Sequence, residues 1–538
     1  MNEVLDSRPA PHWAVLAFAL ALLNASLTFA NLWPTPFVRM SGDLSVEFAA
    51  CVLGLVFARR WLGPRWKSAR RWLGVLWVLL VIGRYGDVTA QSLWGRDVNL
   101  YWDMRNIPAV GGMLAFVANR WLIGAVVAAA VLIPLLVYLP ARWALGRVSD
   151  ATSDARMRRA LVVLAGGVLL LCVVQRLDER VPDVPGFAAP VTRVYARQVR
   201  QLAYEASGAG VRALPPPPSI RSSLAGVNGV DVFLIFVESY GAVSWDRPAF
   251  AKALAPSRAR LEADIRETGR GVVSAFVESP TFGGESWLAH VSLLSGTEVR
   301  DGGTNMRLMA QHRETLVTAF TKQGYRTAAI MPGLQNDWRD GAFYGFDVIY
   351  GAERLDYHGP PFGWWDMTDQ FALARMDALE VAPQPRPPVF VFFPTISTHT
   401  PFTPTPPYQP DWARMLKPHP YDAADRDLAY ETQPDWMDLG PGYAHALAYA
   451  NATLGGYLRL RADRDFVMIL IGDHQPPAMV SGEGASWEVP VHVIASRQVV
   501  LDRLRRRGFR AGLAPQHPAL SKMHALVQVL LDAFGDGE

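Results

Sequence analysis

Residues 230–239, Val-Asp-Val-Phe-Leu-Ile-Phe-Val-Glu-Ser, decide the fold of the second half of this chain. The run is apolar at almost every position and ends in a carboxylate, which is typical of a strand buried inside a parallel sheet. Similar runs follow at 325–331, 388–393 and 466–471. Helical patterns alternate with them at 250–268, 285–294, 308–323, 443–461 and 521–534. The alternation predicts an α/β domain with a mainly parallel central sheet, covered by helices on both faces.

The first third of the chain has a different composition. Over all 538 residues the mean hydropathy is +0.11 and 19% of residues are charged, whereas an ordinary soluble domain has about 25%. The apolar excess lies in five runs, at about 12–33, 44–58, 72–90, 119–140 and 160–175. Because a bilayer needs about 20 apolar residues per helix, these runs predict a multi-span α-helical membrane domain with five transmembrane helices.

Charge patterning predicts the topology of these spans. The loops at 59–71 and 142–159 carry most of the arginines near the spans, so both are expected in the cytoplasm, together with the N-terminus. Everything after about residue 178 is then extracytoplasmic. We therefore expect a membrane domain at 1–178, a juxtamembrane connector at 179–220 and an extracytoplasmic catalytic domain at 221–538.

Two global counts exclude some classes of function. The net charge of +3 gives no basis for a nucleic-acid partner. The chain has 2 cysteines, Cys51 and Cys172, and both lie in apolar runs. The outer domain therefore has no disulfide, no thiolate metal site and no cysteine nucleophile.

Polar side chains stand where the predicted strands end, which is where ligands bind in parallel sheets. Glu238 follows the first strand, His399 follows the third, and Asp473 with His474 follows the fourth; a Gly-Gly turn and several hydroxyls lie in 279–287. Singly, each could be a helix cap or a loop residue. Together, the oxygen and imidazole groups are suitable ligands for a divalent metal ion. A hydroxyl beside such an ion is suited to act as a nucleophile that takes up a group from the substrate covalently.

The order of these motifs resembles the alkaline phosphatase/sulfatase superfamily. With five N-terminal spans and an outer catalytic domain, the chain is similar to membrane-anchored proteins of the lipoteichoic-acid-synthase type, which are phosphoglycerol transferases. The resemblance implies that Glu238, Asp473 and His474 are metal ligands, joined by the hydroxyl of the nucleophile Ser286. It implies one divalent ion, Mn²⁺ or Zn²⁺, with Mg²⁺ as a third candidate.

The resemblance also implies the other site residues. Ser286 stands ten residues before Gly296, as the catalytic residue of sulfatases does before a similar glycine; Thr281 is the alternative nucleophile. His399 matches a histidine that contacts the substrate, and we expect it to protonate the leaving group. Trp338 and Arg339 resemble a Trp/Arg pair that binds the head group.

Two features of the sequence differ from other branches of this superfamily and narrow the range of expected activities. The formylglycine precursor motif of arylsulfatases is missing around Ser286, and the outer domain lacks the cysteines that commonly staple phosphoethanolamine transferases. We therefore expect metal-dependent transfer of a phosphoglycerol-type head group from a membrane phospholipid to a glycan or glycerol hydroxyl, at a bacterial inner (plasma) membrane. The alternatives are a membrane-anchored sulfatase or phosphatase, a phosphoethanolamine transferase, or a non-catalytic sensor; the sequence makes no prediction of oligomeric state.

Overall fold

In the computed structural model the chain forms two compact units. One comprises Met1–Ser92 and Asp97–Val211, and the other comprises Leu93–Arg96 and Arg212–Glu538. The residues that the structure describes are 13–33, 35–62, 66–105, 107, 111, 120–177, 184–207, 214–335, 338, 340–363 and 365–536. The boundaries expected at 178 and 220 remain a prediction.

The described part of the N-terminal region is mainly helical and contains one short antiparallel pair, β1 (Ala30–Asn31) and β2 (Val38–Arg39). Its helices are Trp13–Thr28, Val46–Leu62, Trp66–Trp94, Arg120–Ala151, Ala155–Leu177 and Val191–Ser207. Three stretches are long and apolar enough to cross a bilayer: Ser68–Trp94, Ile123–Ala151 and Ala155–Leu177. These confirm the helical, apolar character of the region, while its passage through a membrane several times stays a prediction. The other two predicted spans fall on shorter apolar helices, so the count of five stays a prediction.

The C-terminal unit is built on an eight-stranded sheet. Its strands are β3 (Asp231–Val237), β4 (Gly271–Glu278), β5 (Arg326–Ile330), β6 (Val348–Tyr350), β7 (Val389–Pro394), β8 (Phe466–Gly472), β9 (Glu488–Ala495) and β10 (Arg510–Ala511). Their order in the sheet is β10-β4-β9-β8-β3-β7-β5-β6. Five neighbouring strands, from β8 to β6, run parallel, while β9, β4 and β10 pair antiparallel at one side. The mainly parallel sheet is therefore confirmed.

Helices cover both faces of this sheet. Along β3 the even-numbered residues 232–236 belong to one buried apolar cluster and the odd-numbered residues 233–237 belong to another. Burial on both faces explains why the β3 sequence is continuously apolar. Glu238 continues the even-numbered series 232–236 beyond the end of β3. Its side chain therefore lies on the same face of the sheet as the Ser286–Ser295 helix.

Four of the five predicted helical patterns overlap one helix each in this unit, and the fifth does not. The pattern at 308–323 predicts one helix, and that prediction is wrong: Gly302–Met309 and Leu316–Lys322 are separate helices. Thr315 caps the second with its side chain in a reciprocal capping box with Thr318, which starts a new helix there. The helices are Val243–Asp246, Pro248–Glu267, Ser286–Ser295, Gly302–Met309, Leu316–Lys322, Gly341–Tyr344, Ala352–Leu355, Asp369–Met376, Trp412–Met415, Ala423–Glu431, Gly440–Leu460, Ala478–Ser481, Gln498–Arg506 and Leu526–Phe534.

Candidate active site

Three buried side chains converge at the carboxyl ends of two neighbouring strands. Glu238 follows β3, Asp473 and His474 follow β8, and the strands pair in parallel with Val237 opposite Gly472. Each of the three side chains offers one ligand atom, and these atoms all lie within 4.8 Å of one another. Two buried carboxylates at this distance repel unless a cation or proton lies between them. Their oxygen and nitrogen donors fit a divalent metal ion.

The loop after β7 holds the Glu238 backbone. The Glu238 N–H donates to Thr395 Oγ1 at 3.0 Å, and its carbonyl accepts from Thr398 Oγ1 at 2.6 Å. The neighbouring hydroxyl of Ser239 donates to Glu238 Oε1 at 3.1 Å. Both threonines are buried, so the Glu238 backbone, which follows β3, is fixed by hydroxyls that follow β7.

The Asp473-His474 pair is oriented by backbone groups. Asp473 Oδ1 accepts from the N–H of Ser239 at 2.8 Å and from the N–H of His474 at 2.6 Å. His474 Nδ1 lies 2.7 Å from the carbonyl oxygen of Gln475, and a carbonyl can only accept. Nδ1 therefore carries a proton. The other ring nitrogen, Nε2, faces the carboxylate of Glu238. Metal-binding histidines in proteins are commonly oriented in this way, with the nitrogen that does not bind the metal donating to a carbonyl.

Burial and mutual charge shift the pKa of all three groups. Burial raises the pKa of Asp473 well above its ordinary value, and the negative charge of Glu238 raises it further. Burial also raises the pKa of Glu238, but the positive charge of His474 outweighs it, so that the pKa lies below the ordinary value. Burial lowers the pKa of His474, yet the charges of Asp473 and Glu238 bring it to about 9. Without a cation the cluster holds protons, which a bound cation would displace.

Ser286 places its hydroxyl inside this cluster. It is the first residue of the Ser286–Ser295 helix, and Glu285 before it has the left-handed φ of 60°. Ser286 Oγ donates to Glu238 Oε2 at 2.9 Å and lies 3.1 Å from His474 Nε2. The free N–H groups and the dipole of this helix terminus favour an anion at the same place.

Thr281, the alternative nucleophile, has a different environment. Its Oγ1 donates to the carbonyl of Gly284 at 2.6 Å, inside its own turn, and the side chain is 4% exposed. Within the described residues no hydrogen bond joins it to the metal-binding cluster. The geometry therefore favours Ser286, which remains a proposal as the nucleophile.

His399 lies beside the cluster, in the loop after β7. Its Nδ1 is 2.7 Å from the carbonyl oxygen of Thr400, and its ring lies edge-on to Trp365 with 4.8 Å between centroids. Its charge is among those that lower the pKa of Glu238, which places the imidazole within electrostatic range of the candidate ligands. Nδ1 is occupied by a carbonyl, so Nε2 is the nitrogen left for substrate.

Asp369 supports this loop and was not found from the sequence. Its Oδ1 accepts from the N–H of Ile396 at 2.7 Å and its Oδ2 from the N–H of Ser397 at 3.0 Å, directly before His399. Burial raises its pKa to about 6. In the sequence Asp369 follows Thr368, the helix N-cap, and so has the position of an ordinary first-turn acid.

Of the predicted head-group pair, Trp338 and Arg339, the structure describes only Trp338. The Trp338 ring lies 5.1 Å from the ring of Tyr344, and no described contact connects it to the cluster. Arg339 lies outside the described residues. The head-group role of the pair stays a prediction.

Comparisons with known proteins agree with the superfamily. Residues 289–493 match the family model described as Sulfatase, a stretch that contains His399, Asp473 and His474 and begins just after Ser286. No curated protein matches the chain. The match confirms, for this part of the chain, the superfamily that the sequence resemblance predicts.

Three of the solved structures that match this chain have sequence identities of 12–15% and TM-scores below 0.5. The lipoteichoic acid synthase LtaP from Listeria monocytogenes is 14% identical with a TM-score of 0.36, covering 52% of this chain and 69% of its own. The zinc complex of the periplasmic domain of EptC from Escherichia coli is 15% identical with a TM-score of 0.37, covering 60% and 87%. Streptococcus pyogenes phosphoglycerol transferase GacH with sn-glycerol-1-phosphate is 12% identical with a TM-score of 0.31, covering 63% and 90%.

Proposed function

We propose that this protein is a membrane-anchored phospho-group transferase, which moves a phosphoglycerol-type head group from a membrane phospholipid to a glycan or glycerol hydroxyl. The observation that carries the proposal is the position of Ser286 Oγ, 2.9 Å from Glu238 Oε2 and 3.1 Å from His474 Nε2. A serine hydroxyl among candidate metal ligands, at a helix N-terminus, is arranged for attack on an anionic ester.

The donor set supports one divalent ion, Mn²⁺ or Zn²⁺, held by Glu238, Asp473, His474 and the Ser286 hydroxyl. Such an ion would lower the pKa of that hydroxyl and screen the charge of the substrate phosphate.

The reaction has two steps on the same residues. Ser286 first gives up its hydroxyl proton to solvent. The Ser286 alkoxide attacks the phosphorus of the lipid phosphodiester, the bond from phosphorus to the diacylglycerol oxygen breaks, and His399 protonates that oxygen. The phosphoglycerol group is then an ester of Ser286. An acceptor hydroxyl, deprotonated by His399, attacks the same phosphorus and releases the serine.

The three long apolar helices support a place in the membrane, where a lipid donor diffuses beside the enzyme. We propose a multi-pass protein of a bacterial inner membrane, with the N-terminus in the cytoplasm and the catalytic domain on the periplasmic side.

The test uses purified full-length protein, Mn²⁺ and vesicles of phosphatidylglycerol. Ser286→Ala should reduce diacylglycerol release by at least about a thousandfold, because the nucleophile is lost. Ser292→Ala is the matched control: its hydroxyl, on the same helix, donates to the carbonyl of Val299 and accepts from the N–H of the same residue, away from the cluster, so the variant should retain turnover. Thr281→Val should retain turnover as well.

Three results would change the assignment. Full turnover by Ser286→Ala with loss in Thr281→Val would make Thr281 the nucleophile. Free glycerol phosphate with no adduct on a glycan acceptor would make the protein a hydrolase. Faster turnover of phosphatidylethanolamine vesicles would make it a phosphoethanolamine transferase.

A further inference from the structure

The turn that follows Glu238 has a strained backbone. Ser239 has a φ of 57°, in the left-handed region that residues other than glycine seldom adopt. The same residue joins the two carboxylates of the cluster, because its N–H donates to Asp473 Oδ1 at 2.8 Å and its hydroxyl donates to Glu238 Oε1 at 3.1 Å. Such a backbone conformation persists only where neighbouring groups hold it. The groups that hold this turn therefore help to set the positions of both carboxylates.

Two tyrosines connect this turn to the rest of the domain. The hydroxyl of Tyr443, on the Gly440–Leu460 helix, donates to the carbonyl of Ser239 at 3.0 Å. The next residue in the chain, Tyr240, lies with its phenol oxygen 3.0 Å from Nε2 of His492, and this oxygen accepts from the indole N–H of Trp245 at 3.0 Å. The side chain of Tyr240 thus ties the strained turn to a histidine of β9.

His492 is a buried histidine to which the proposed reaction gives no role. It lies within β9 between two buried valines and is 2% exposed. Burial lowers the pKa of His492 to about 3, and the charge of Arg258 acts in the same direction, so the imidazole is neutral at physiological pH. A buried imidazole destabilises a fold unless its nitrogens are hydrogen-bonded. Both are bonded here, since Nδ1 lies 2.7 Å from Ser274 Oγ and Nε2 lies beside the Tyr240 hydroxyl.

The protons of these hydrogen bonds have one consistent arrangement. The Ser274 hydroxyl donates to the carbonyl of Gly512 at 2.7 Å, so its oxygen accepts from Nδ1 of His492. Because a neutral imidazole carries one N–H, Nε2 has no proton and accepts from the Tyr240 hydroxyl. The Tyr240 oxygen in turn accepts from Trp245. A continuous chain of hydrogen bonds therefore runs from Trp245 through Tyr240, His492 and Ser274 to a backbone carbonyl.

We propose that Tyr240 and His492 are positioning residues, which act through this chain of hydrogen bonds to hold the Ser239 turn and, with it, the two carboxylates of the metal site. The proposal rests on the proposed metal site and adds the groups that support its ligands. Removal of a group that orients metal ligands from outside commonly lowers metal affinity by about 10- to 100-fold.

The test measures the Mn²⁺ affinity of full-length variants by calorimetric titration. Two substitutions separate the two sides of the His492 ring. His492→Gln places an amide near the position of Nε2, where its oxygen can still accept from Tyr240, whereas His492→Asn places an amide near Nδ1 and keeps only the bond to Ser274. His492→Asn and Tyr240→Phe should each weaken Mn²⁺ binding by about tenfold or more, and His492→Gln should stay within about threefold of the wild type.

Tyr325→Phe is the matched control for Tyr240→Phe. It removes a buried phenol hydroxyl that donates to the carbonyl of Val227, and it lies just before β5, at the opposite end of the sheet from the cluster. This variant should lose stability, seen as a lower Tm, and keep the Mn²⁺ affinity of the wild type.

Three results would overturn the proposal: wild-type affinity in Tyr240→Phe, a loss in His492→Gln as large as that in His492→Asn, or a loss in Tyr325→Phe as large as that in Tyr240→Phe. If the His492 variants do not fold, the comparison of Tyr240→Phe with Tyr325→Phe decides alone. Failure of the proposed metal site is seen separately, because the wild type itself would then not bind Mn²⁺, and the proposal would fail with it.

Discussion

At the scale of single residues, the protonation of His474 couples metal binding to pH. Burial lowers the pKa of its imidazole, but the charges of Asp473 and Glu238 raise it to about 9 in the cation-free cluster. Below that pH the imidazole is protonated, and a metal ion must displace the proton to bind Nε2. Binding of Mn²⁺ should therefore strengthen by up to about tenfold for each pH unit between 6 and 9.

Calorimetric titration of Mn²⁺ at pH 6, 7 and 8, in buffers of different ionisation enthalpy, measures both the affinity and the protons released. Release of at least one proton per ion is expected. An affinity independent of pH, with no proton released, would show that His474 is not a ligand.

The sequence predicted the central residues of the site because they directly follow apolar runs. Glu238, Asp473 and His474 were placed in one cluster on that basis, and the structure brings them together. The supporting residues Thr395 and Asp369 were missed, because their partners are distant in sequence and nothing local distinguishes them from ordinary loop and helix-start residues.

At the scale of elements, the ends of β3 and β8 approach each other so closely that only glycine fits at one position. A Cβ at Gly472 would lie 1.9 Å from the carbonyl oxygen of Tyr240. Gly472→Ala should therefore push the two strand ends apart, lower the stability by about 1–3 kcal/mol and displace Asp473 from the cluster.

Thermal unfolding and Mn²⁺ titration of the purified variant measure these two effects. We expect a lower Tm and weaker metal binding together. A variant with wild-type Tm and wild-type affinity would show that the close approach does not position Asp473.

The sequence did not predict the three strands at the antiparallel side of the sheet, nor the short parallel strand β6 at the opposite edge. β9 contains Pro490, which argues against a central strand in a sequence, yet Pro490 pairs with Phe276 of β4. The pairing of β4, β9 and β10 depends on partners far away in the chain, whereas the parallel strands β3, β5, β7 and β8 are marked by their own continuous apolar runs.

At the scale of the whole molecule, the C-terminal unit contains its own core. The two apolar clusters that cover its sheet consist of residues between Ile220 and Phe534. A protein reduced to residues 214–538 should therefore fold, bind Mn²⁺ with the affinity of the full chain and lose at least about tenfold in turnover of vesicle lipid, because it no longer resides in the membrane.

Circular dichroism, Mn²⁺ titration and diacylglycerol release from vesicles test this expectation. Undiminished lipid turnover by the shortened protein would show that the membrane helices do not serve to bring donor and site together.

The apolar runs predicted that the N-terminal segments are helical, while hydropathy alone could not set how long each helix is.

The central claim is that Ser286 carries the phospho-group between donor and acceptor. The most direct measurement is mass spectrometry of the wild-type protein, quenched after incubation with phosphatidylglycerol and Mn²⁺ in the absence of acceptor. Fragment spectra should assign one added phosphoglycerol group to Ser286, and the group should disappear when acceptor is added before the quench. An adduct on Thr281, or lipid turnover with no adduct on either residue, would contradict the claim.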